Sequence, residues 1–197
     1  IMVSASADYA TSFLVLFGMF ISFKSYSDGM GLEGGLAYGD IGAEETAQRI
    51  ANLSGSTTTV TYDAATWYGR IFYEYDLNRD SFVDLGYFMT GELNATYSLS
   101  GASASEAYSF NGFEASYGAR SEGLYFKGGV HQSTIDGNAS IRISNTTYAA
   151  QASASGMGFL FGGGVETDGT RYGITYYNSL GGIEDTNLLV LVYGVKF

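Results

Sequence analysis

Cysteine and proline are both absent from the 197 residues. Without Cys no disulfide framework is available, although that absence suits a reduced cytosol and a cysteine-avoiding envelope protein equally. Basic residues are also scarce: nine Lys and Arg stand against twenty Asp and Glu, a formal charge of −11. A chain so acidic repels phosphate backbones, so no nucleic-acid partner is expected. Long apolar runs are missing as well. The richest stretch, Phe13 to Phe23, is too short for a helical membrane span and is followed at once by Lys24. There is one histidine and one tryptophan. No Cys/His metal cluster, phosphate-cradling loop, calcium loop or nucleophile elbow appears, so no cofactor or metal is expected.

What is present is glycine, tyrosine and phenylalanine: 28, 17 and 13 residues. Aromatic abundance without proline favours strands, and a closed β-barrel is the one strand architecture that can cross a bilayer, because every backbone group is paired within it. A soluble sandwich has a similar composition, so the pattern along the chain decides. From Met30 onward, large apolar and small or polar residues alternate with a period of two. Met30, Leu32, Leu36 and Tyr38 share a face, as do Trp67, Ile71, Tyr73 and Tyr75, and Val83, Leu85, Tyr87 and Met89. Phe113–Tyr117, Leu124–Val130, Phe159–Val165 and Tyr172–Tyr176 repeat the pattern, and Leu188–Phe197 closes the set. That makes eight strands.

The connections alternate in length. Asp76–Asp80, Ala119–Gly123 and Thr167–Thr170 read as tight turns, whereas residues 40–59, 98–107, 136–156 and 179–187 read as long polar loops. Short turns at one end and long loops at the other are the build of bacterial outer-membrane barrels. The expectation is an all-β, antiparallel, up-and-down transmembrane barrel over residues 30–197. Residues 43–53 have helix-forming composition within the first long loop.

Residues 1–29 stand apart. Ala5-Ser-Ala7 looks like a signal-peptidase site. Residues 13–24 are strand-like, with Asp28-Gly29 as a turn into Met30. They read as a strand beside or across the barrel seam, a first strand whose partner near Met30 is partly outside the membrane, or a segment for contacts between protomers. The partner of the C-terminal strand then lies either in residues 30–39 or in residues 13–24.

Gly158-Phe-Leu-Phe-Gly-Gly-Gly-Val-Glu166, Arg171-Tyr-Gly-Ile-Thr-Tyr-Tyr177 and Leu191-Val-Tyr-Gly-Val-Lys-Phe197 carry a resemblance to the OmpA/OmpX-like outer-membrane β-barrel family. The resemblance implies an outer-membrane location in a Gram-negative-type bacterium. It also makes Tyr193, Val195 and Phe197 similar to the signal read by the outer-membrane assembly machinery.

Parity directs a set of charges to the barrel interior: Glu33, Glu74, Asp84, Glu92, Glu114 and Glu166 with Arg70, Lys127 and Lys196. Buried charges require partners, and eight strands leave room for little beyond side chains, so a salt-bridged plug is weighed against a polar conduit. His131 points inward beside Lys127. His131-Gln-Ser133 is similar to the His-x-Ser of lipid A deacylase barrels, but Thr134 follows where that family has Asn. The loops are rich in Ser, Thr, Asn and Ala. Ile141, Ile143 and Tyr148 alternate with Arg142 and could extend a hairpin beyond the membrane. Asn52, Asn94, Asn138 and Asn145 match the glycosylation sequon, as chance provides in so Ser/Thr-rich a chain.

Together these readings describe a barrel with a structural or surface-interaction role, not an enzyme. It is expected to contact outer-membrane lipid, lipopolysaccharide and other proteins, or a second copy through its loops or N-terminal segment. Passage of small or apolar solutes is the alternative, and a lipid A-modifying hydrolase the third.

Overall fold

The computed structural model describes residues 29–54, 58–99 and 101–197. The strand-like stretch 13–24 and the rest of residues 1–28 lie outside the described residues. Ten strands follow: β1 (Met30–Asp40), β2 (Thr59–Asp63), β3 (Ala65–Asn78), β4 (Ser81–Thr90), β5 (Leu93–Leu99), β6 (Ala102–Ser121), β7 (Leu124–Ile143), β8 (Thr146–Thr167), β9 (Thr170–Tyr177) and β10 (Asn187–Lys196). One helix, α1 (Ala43–Ser54), lies between β1 and β2.

Eight staves result, because β2 continues into β3 across Ala64 and β4 into β5 across Gly91-Glu92. Every pairing in the ring β1–β3–β4–β6–β7–β8–β9–β10 is antiparallel, and β10 closes onto β1 from Gly31↔Lys196 to Asp40↔Asn187. The C-terminal strand therefore pairs with residues 31–40.

Two of the short turns have both central residues in the left-handed region: Glu122-Gly123 (φ 51° and 82°) and Asp168-Gly169 (φ 50° and 75°). That is the backbone of a two-residue I′ hairpin, whose twist matches its strands.

The other end departs from the expectation of long loops. Residues 98–107 and 136–156 are strand over most of their length. β7 and β8 stay in register without a break from Leu124↔Val165 to Ile143↔Thr146. The composition misled because Ser, Thr and Ala serve strands as readily as loops when neighbours supply the ladder. As a result β2, β5 and the outer halves of β6, β7 and β8 form a five-stranded sheet beyond the barrel. Helix α1 covers one part of its inner face, setting Ala43 and Ala47 against Ala95 and Tyr97.

Side chains alternate about the wall. Outward ones form an apolar belt, with Phe113, Phe126, Phe159 and Phe161 each more than half exposed. A closed ring with such a belt is the only strand arrangement that hydrocarbon tolerates. The chain spans a membrane.

Candidate functional site

Inside the barrel, side chains fill the lumen in three levels. Nearest the short turns, Glu74 accepts from Arg120 Nη2 and Arg171 Nη2, and from Lys196 Nζ at 2.7 Å. Arg171 also meets Glu166 at 2.8 Å, and Arg120 meets Asp76 at 2.9 Å and Glu166 at 3.2 Å. Aromatic rings brace these cations. The Arg120 guanidinium lies 4.2 Å from the centre of the Phe82 ring and that of Arg171 5.1 Å from Tyr125. Phe72 and Phe82 fit because glycines face them across the ladder, at Gly31↔Phe72 and Gly118↔Phe82.

At mid-height the centre is Arg70, fully buried. Its guanidinium donates to Glu33 at 2.9 Å and to Asp84, and pairs with Glu114 at 2.7 Å. Lys127 Nζ stands 3.5 Å from Glu114 and 3.7 Å from Asp84. Gly162 leaves space beside the Lys127 stem.

Above the charges comes an aromatic level. Tyr68 and Tyr177 hydroxyls are 2.7 Å apart, and the Tyr177 O–H donates to Glu114 at 2.6 Å. Phe88 and His131 pack against Tyr177, with ring centres 4.8 Å and 5.6 Å away. Leu93, Phe110, Leu160, Leu180 and Leu188, all buried, then seal the outer mouth.

Of the residues that parity directs inward, Glu33, Arg70, Glu74, Asp84, Glu114, Lys127, His131, Glu166 and Lys196 line the lumen. Glu92 does not. It is exposed, because the ladder slips by one residue at Gly91-Glu92: Met89 pairs with Asn111, but Leu93 pairs with Tyr108. Such a bulge inverts parity, so β5 turns its odd-numbered residues inward. Arg171 and Arg120, not among the charges that the sequence directs inward, complete the lower cluster. Arg171 sits opposite in parity to outward Tyr172, so the signal was there. Arg120 falls in the expected turn Ala119–Gly123, but β6 runs on to Ser121.

His131 and Ser133 do not bond to each other. The His131 Nε2–H donates to the Asn178 carbonyl at 2.9 Å, and Ser133 Oγ accepts from the Gly181 N–H at 2.9 Å. Both are buried, and both hold down the β9–β10 connection around the short 3-10 turn Leu180–Gly182.

Beyond the membrane the charge changes character. Residues 40–63, 92–111, 134–156 and 178–187 carry nine Asp and Glu against two Arg, a formal charge of −7. Three tyrosines there report it. Burial, then Asp40, pushes Tyr62 up to about 12, and burial, then Glu106, pushes Tyr108 up to about 12. Tyr97 is raised by burial and Glu106 as well. Tyr97 and Tyr108 O–H groups both donate to Glu106, at 3.3 Å and 3.1 Å.

The native chain thus keeps protons that an unfolded chain releases near pH 10. Stability of this end is complete below pH 10 and falls as pH rises from about 10 to about 12. In an ultraviolet phenolate titration, these tyrosines should ionise after the exposed ones, with hydrogen exchange in β2 and β5 rising over the same interval. Ionisation of all tyrosines together near 10 would refute the assignment.

Among the described residues, the inner face of the outer sheet is only partly covered. Ile141, Ile143 and Tyr148 are 48%, 51% and 63% exposed beside the turn at Ser144-Asn145. Inward-facing Ala150 and Ala152 continue the bare surface.

The chain matches no protein-family model and no curated protein. Among solved structures it is similar to Ail, the attachment invasion locus protein of Yersinia pestis, at 14% identity over 85% of this chain and 97% of that one, with a TM-score of 0.50. Ail in complex with the heparin analogue sucrose octasulfate gives 13% identity, the same coverage and 0.49. Neisserial surface protein A gives 14% identity over the same shares and a TM-score of 0.37. At such identity the likeness to Ail shows the fold, a barrel of the outer-membrane type.

Proposed function

We propose that this Gram-negative outer-membrane barrel is a closed surface protein, without catalytic turnover, whose interactions are made by the sheet that β5 to β8 raise above the membrane. The observation that carries the reading is the pairing of a filled lumen with a bare apolar surface at Ile141, Ile143 and Tyr148. Large exposed apolar side chains grouped on a rigid support mark a contact site for proteins. With a charge of −7 around it, that site favours partners that are neutral or basic. It disfavours sulfated or phosphorylated polyanions.

Solute passage has no route past Tyr68, Phe88 and Tyr177 and the leucines above them. A hydrolase would need His131 and Ser133 free, and each is held by the β9–β10 connection. Contact with lipopolysaccharide and a place among the OmpA/OmpX-like barrels belong to the same proposal. Tyr193, Val195 and Phe197 then serve as the address read during assembly. Phe197→Ala is expected to lower the fraction of chain reaching the outer membrane in cells, while barrel refolded in detergent keeps its unfolding midpoint; a normal yield in cells would refute it.

The function is tested with outer-membrane vesicles displaying the wild-type chain or Ile141→Ser/Ile143→Ser/Tyr148→Ser, passed over immobilised neutral and basic proteins. Retention of the wild type and its loss in the variant are expected, with heat-modifiable migration unchanged. Equal retention would remove the sheet from the interaction. In planar bilayers the wild type should show no steps of conductance, and stable channels would favour the solute reading instead.

A further inference from the structure

Beyond the membrane, the inner face of β5 to β8 is laid out in rows of four. Ala95, Glu106, Ala139 and Ala150 stand side by side in one of them. The next row away from the membrane holds Tyr97, Ala104, Ile141 and Tyr148, and the next row toward it holds Leu93, Tyr108, Gly137 and Ala152. Among the described residues, Glu106 is the single carboxylate on this face of the four strands. It is set in a floor of methyl groups between rows that carry tyrosines.

The two oxygens of Glu106 are not alike. Oε2 accepts from the Tyr97 and Tyr108 hydroxyls at 3.3 Å and 3.1 Å, which occupies both of its lone pairs. Oε1 has no hydrogen-bond partner among the described residues. Phenol hydroxyls fix the carboxylate in place without neutralising it, and after burial it is this negative charge that raises Tyr97 and Tyr108.

No cation of the chain answers it. Arg49 and Arg142 are the two basic residues beyond the membrane among the described residues, both exposed, and neither pairs with Glu106. Arg142 stands on the opposite face of the sheet, in the row of Ser103 and Thr147. The outer half of β8 pairs with β7 alone, since β9 joins it only from Leu160 inward, so the alanine row is open to approach from that side. A half-buried charge with a fixed, unoccupied oxygen costs free energy until an opposite charge reaches it.

We propose that Glu106 Oε1 receives the ammonium group of a lysine on the protein partner, with the lysine stem laid along Ala139 and Ala150 and neighbouring apolar residues of the partner on Ile141 and Tyr148. The inference rests on the contact surface proposed above and names the chemistry of its partner. Lysine fits better than arginine, because a guanidinium fork matches a carboxylate with both oxygens free, and Oε2 is already filled by two tyrosines. An ammonium is a point donor and needs one oxygen. Its four methylenes also suit a floor of methyl groups.

The test uses the full chain in phospholipid nanodiscs, read by the methyl resonances of its alanines and isoleucines. The probe is the end-blocked pentapeptide Ala-Leu-Lys-Leu-Ala, beside versions with arginine, Nε-acetyl-lysine or norleucine at the centre. The lysine peptide should shift Ala139 and Ala150 saturably and bind about tenfold more tightly than the other three. Glu106→Gln, whose carboxamide oxygen still accepts from Tyr97 and Tyr108, should bring the lysine peptide down to the level of norleucine. Equal binding of the lysine and norleucine peptides, of the lysine and arginine peptides, or of the lysine peptide to wild type and Glu106→Gln would each overturn the proposal. The first two comparisons need only the wild-type chain, so they decide even if Glu106→Gln fails to fold. Vesicles on immobilised basic proteins separate this site from the surface it rests on. Glu106→Gln vesicles should be held less than wild type, and acetylating the lysines of the immobilised proteins should abolish that difference. If Glu106→Gln is held as well as wild type while Ile141→Ser/Ile143→Ser/Tyr148→Ser is lost, the contact surface stands and the lysine site falls. If the serine variant is held too, both fall.

Discussion

Replacing Arg70 with methionine is expected to lower the stability of the barrel by about 3–5 kcal/mol, the loss seen when one partner of a buried ion network is removed. Methionine keeps much of the volume, so the effect isolates charge. Glu33, Asp84 and Glu114 would be left facing one another with Lys127 the single remaining cation at mid-height, 3.5 Å from Glu114 and 3.7 Å from Asp84. Urea unfolding in lipid vesicles, followed by the fluorescence of the sole tryptophan, Trp67, measures it. An unchanged midpoint would show that the lumen is wet enough to dispense with the pairing. The set Arg70→Met, Glu33→Gln, Asp84→Asn should recover most of the loss, because Glu114 stays paired with Lys127 and no bare charge is left. Lys127→Ala acts on the same carboxylates at longer range, so its effect should be smaller than that of Arg70→Met.

The second large effect is expected at Gly35. It faces the lumen on β1, opposite Val192 of β10, at the seam where the ring closes. A Cβ there would overlap the Leu191 carbonyl oxygen, far inside van der Waals contact. Backbone cannot yield as a flexible side chain does, so Gly35→Ala has to push the two seam strands apart. Overpacking in a rigid site costs about 1–3 kcal/mol and sometimes more. Gly69→Ala is the control, since its added methyl meets only the Trp67 ring, at 3.6 Å. In detergent gels Gly69→Ala should migrate as folded barrel, while Gly35→Ala runs largely at the unfolded position. Normal migration of Gly35→Ala would mean that the seam is looser than its register suggests.

Much of this was legible in the sequence, because a barrel wall is a local code. Each residue faces lipid or lumen according to parity, so Glu33, Arg70, Glu74 and Lys127 could be assigned to the lumen before any contact was known. The code fails where the backbone breaks step. One extra residue at Gly91-Glu92 inverts the count, and Glu92 moves from the lumen to the surface. It also fails where composition is read as conformation. The Ser- and Ala-rich residues 136–156 look like loop, yet β7 and β8 run through most of them because each supplies the other's hydrogen bonds. Which cations meet which carboxylates was beyond reach, since pairing across the lumen depends on stave order and tilt.

The clusters in the lumen join residues far apart in the chain. Arg120 lies 46 positions from Glu74, Arg171 97 and Lys196 122. Arg70 draws on β1, β4 and β6, and Lys196 comes from the final strand. Until β10 has docked on β1, Lys196 stays apart from Glu74, so an unclosed ring leaves the lower cluster one cation short. The last strand thus brings both the final ladder of the ring and the final cation of the cluster around Glu74.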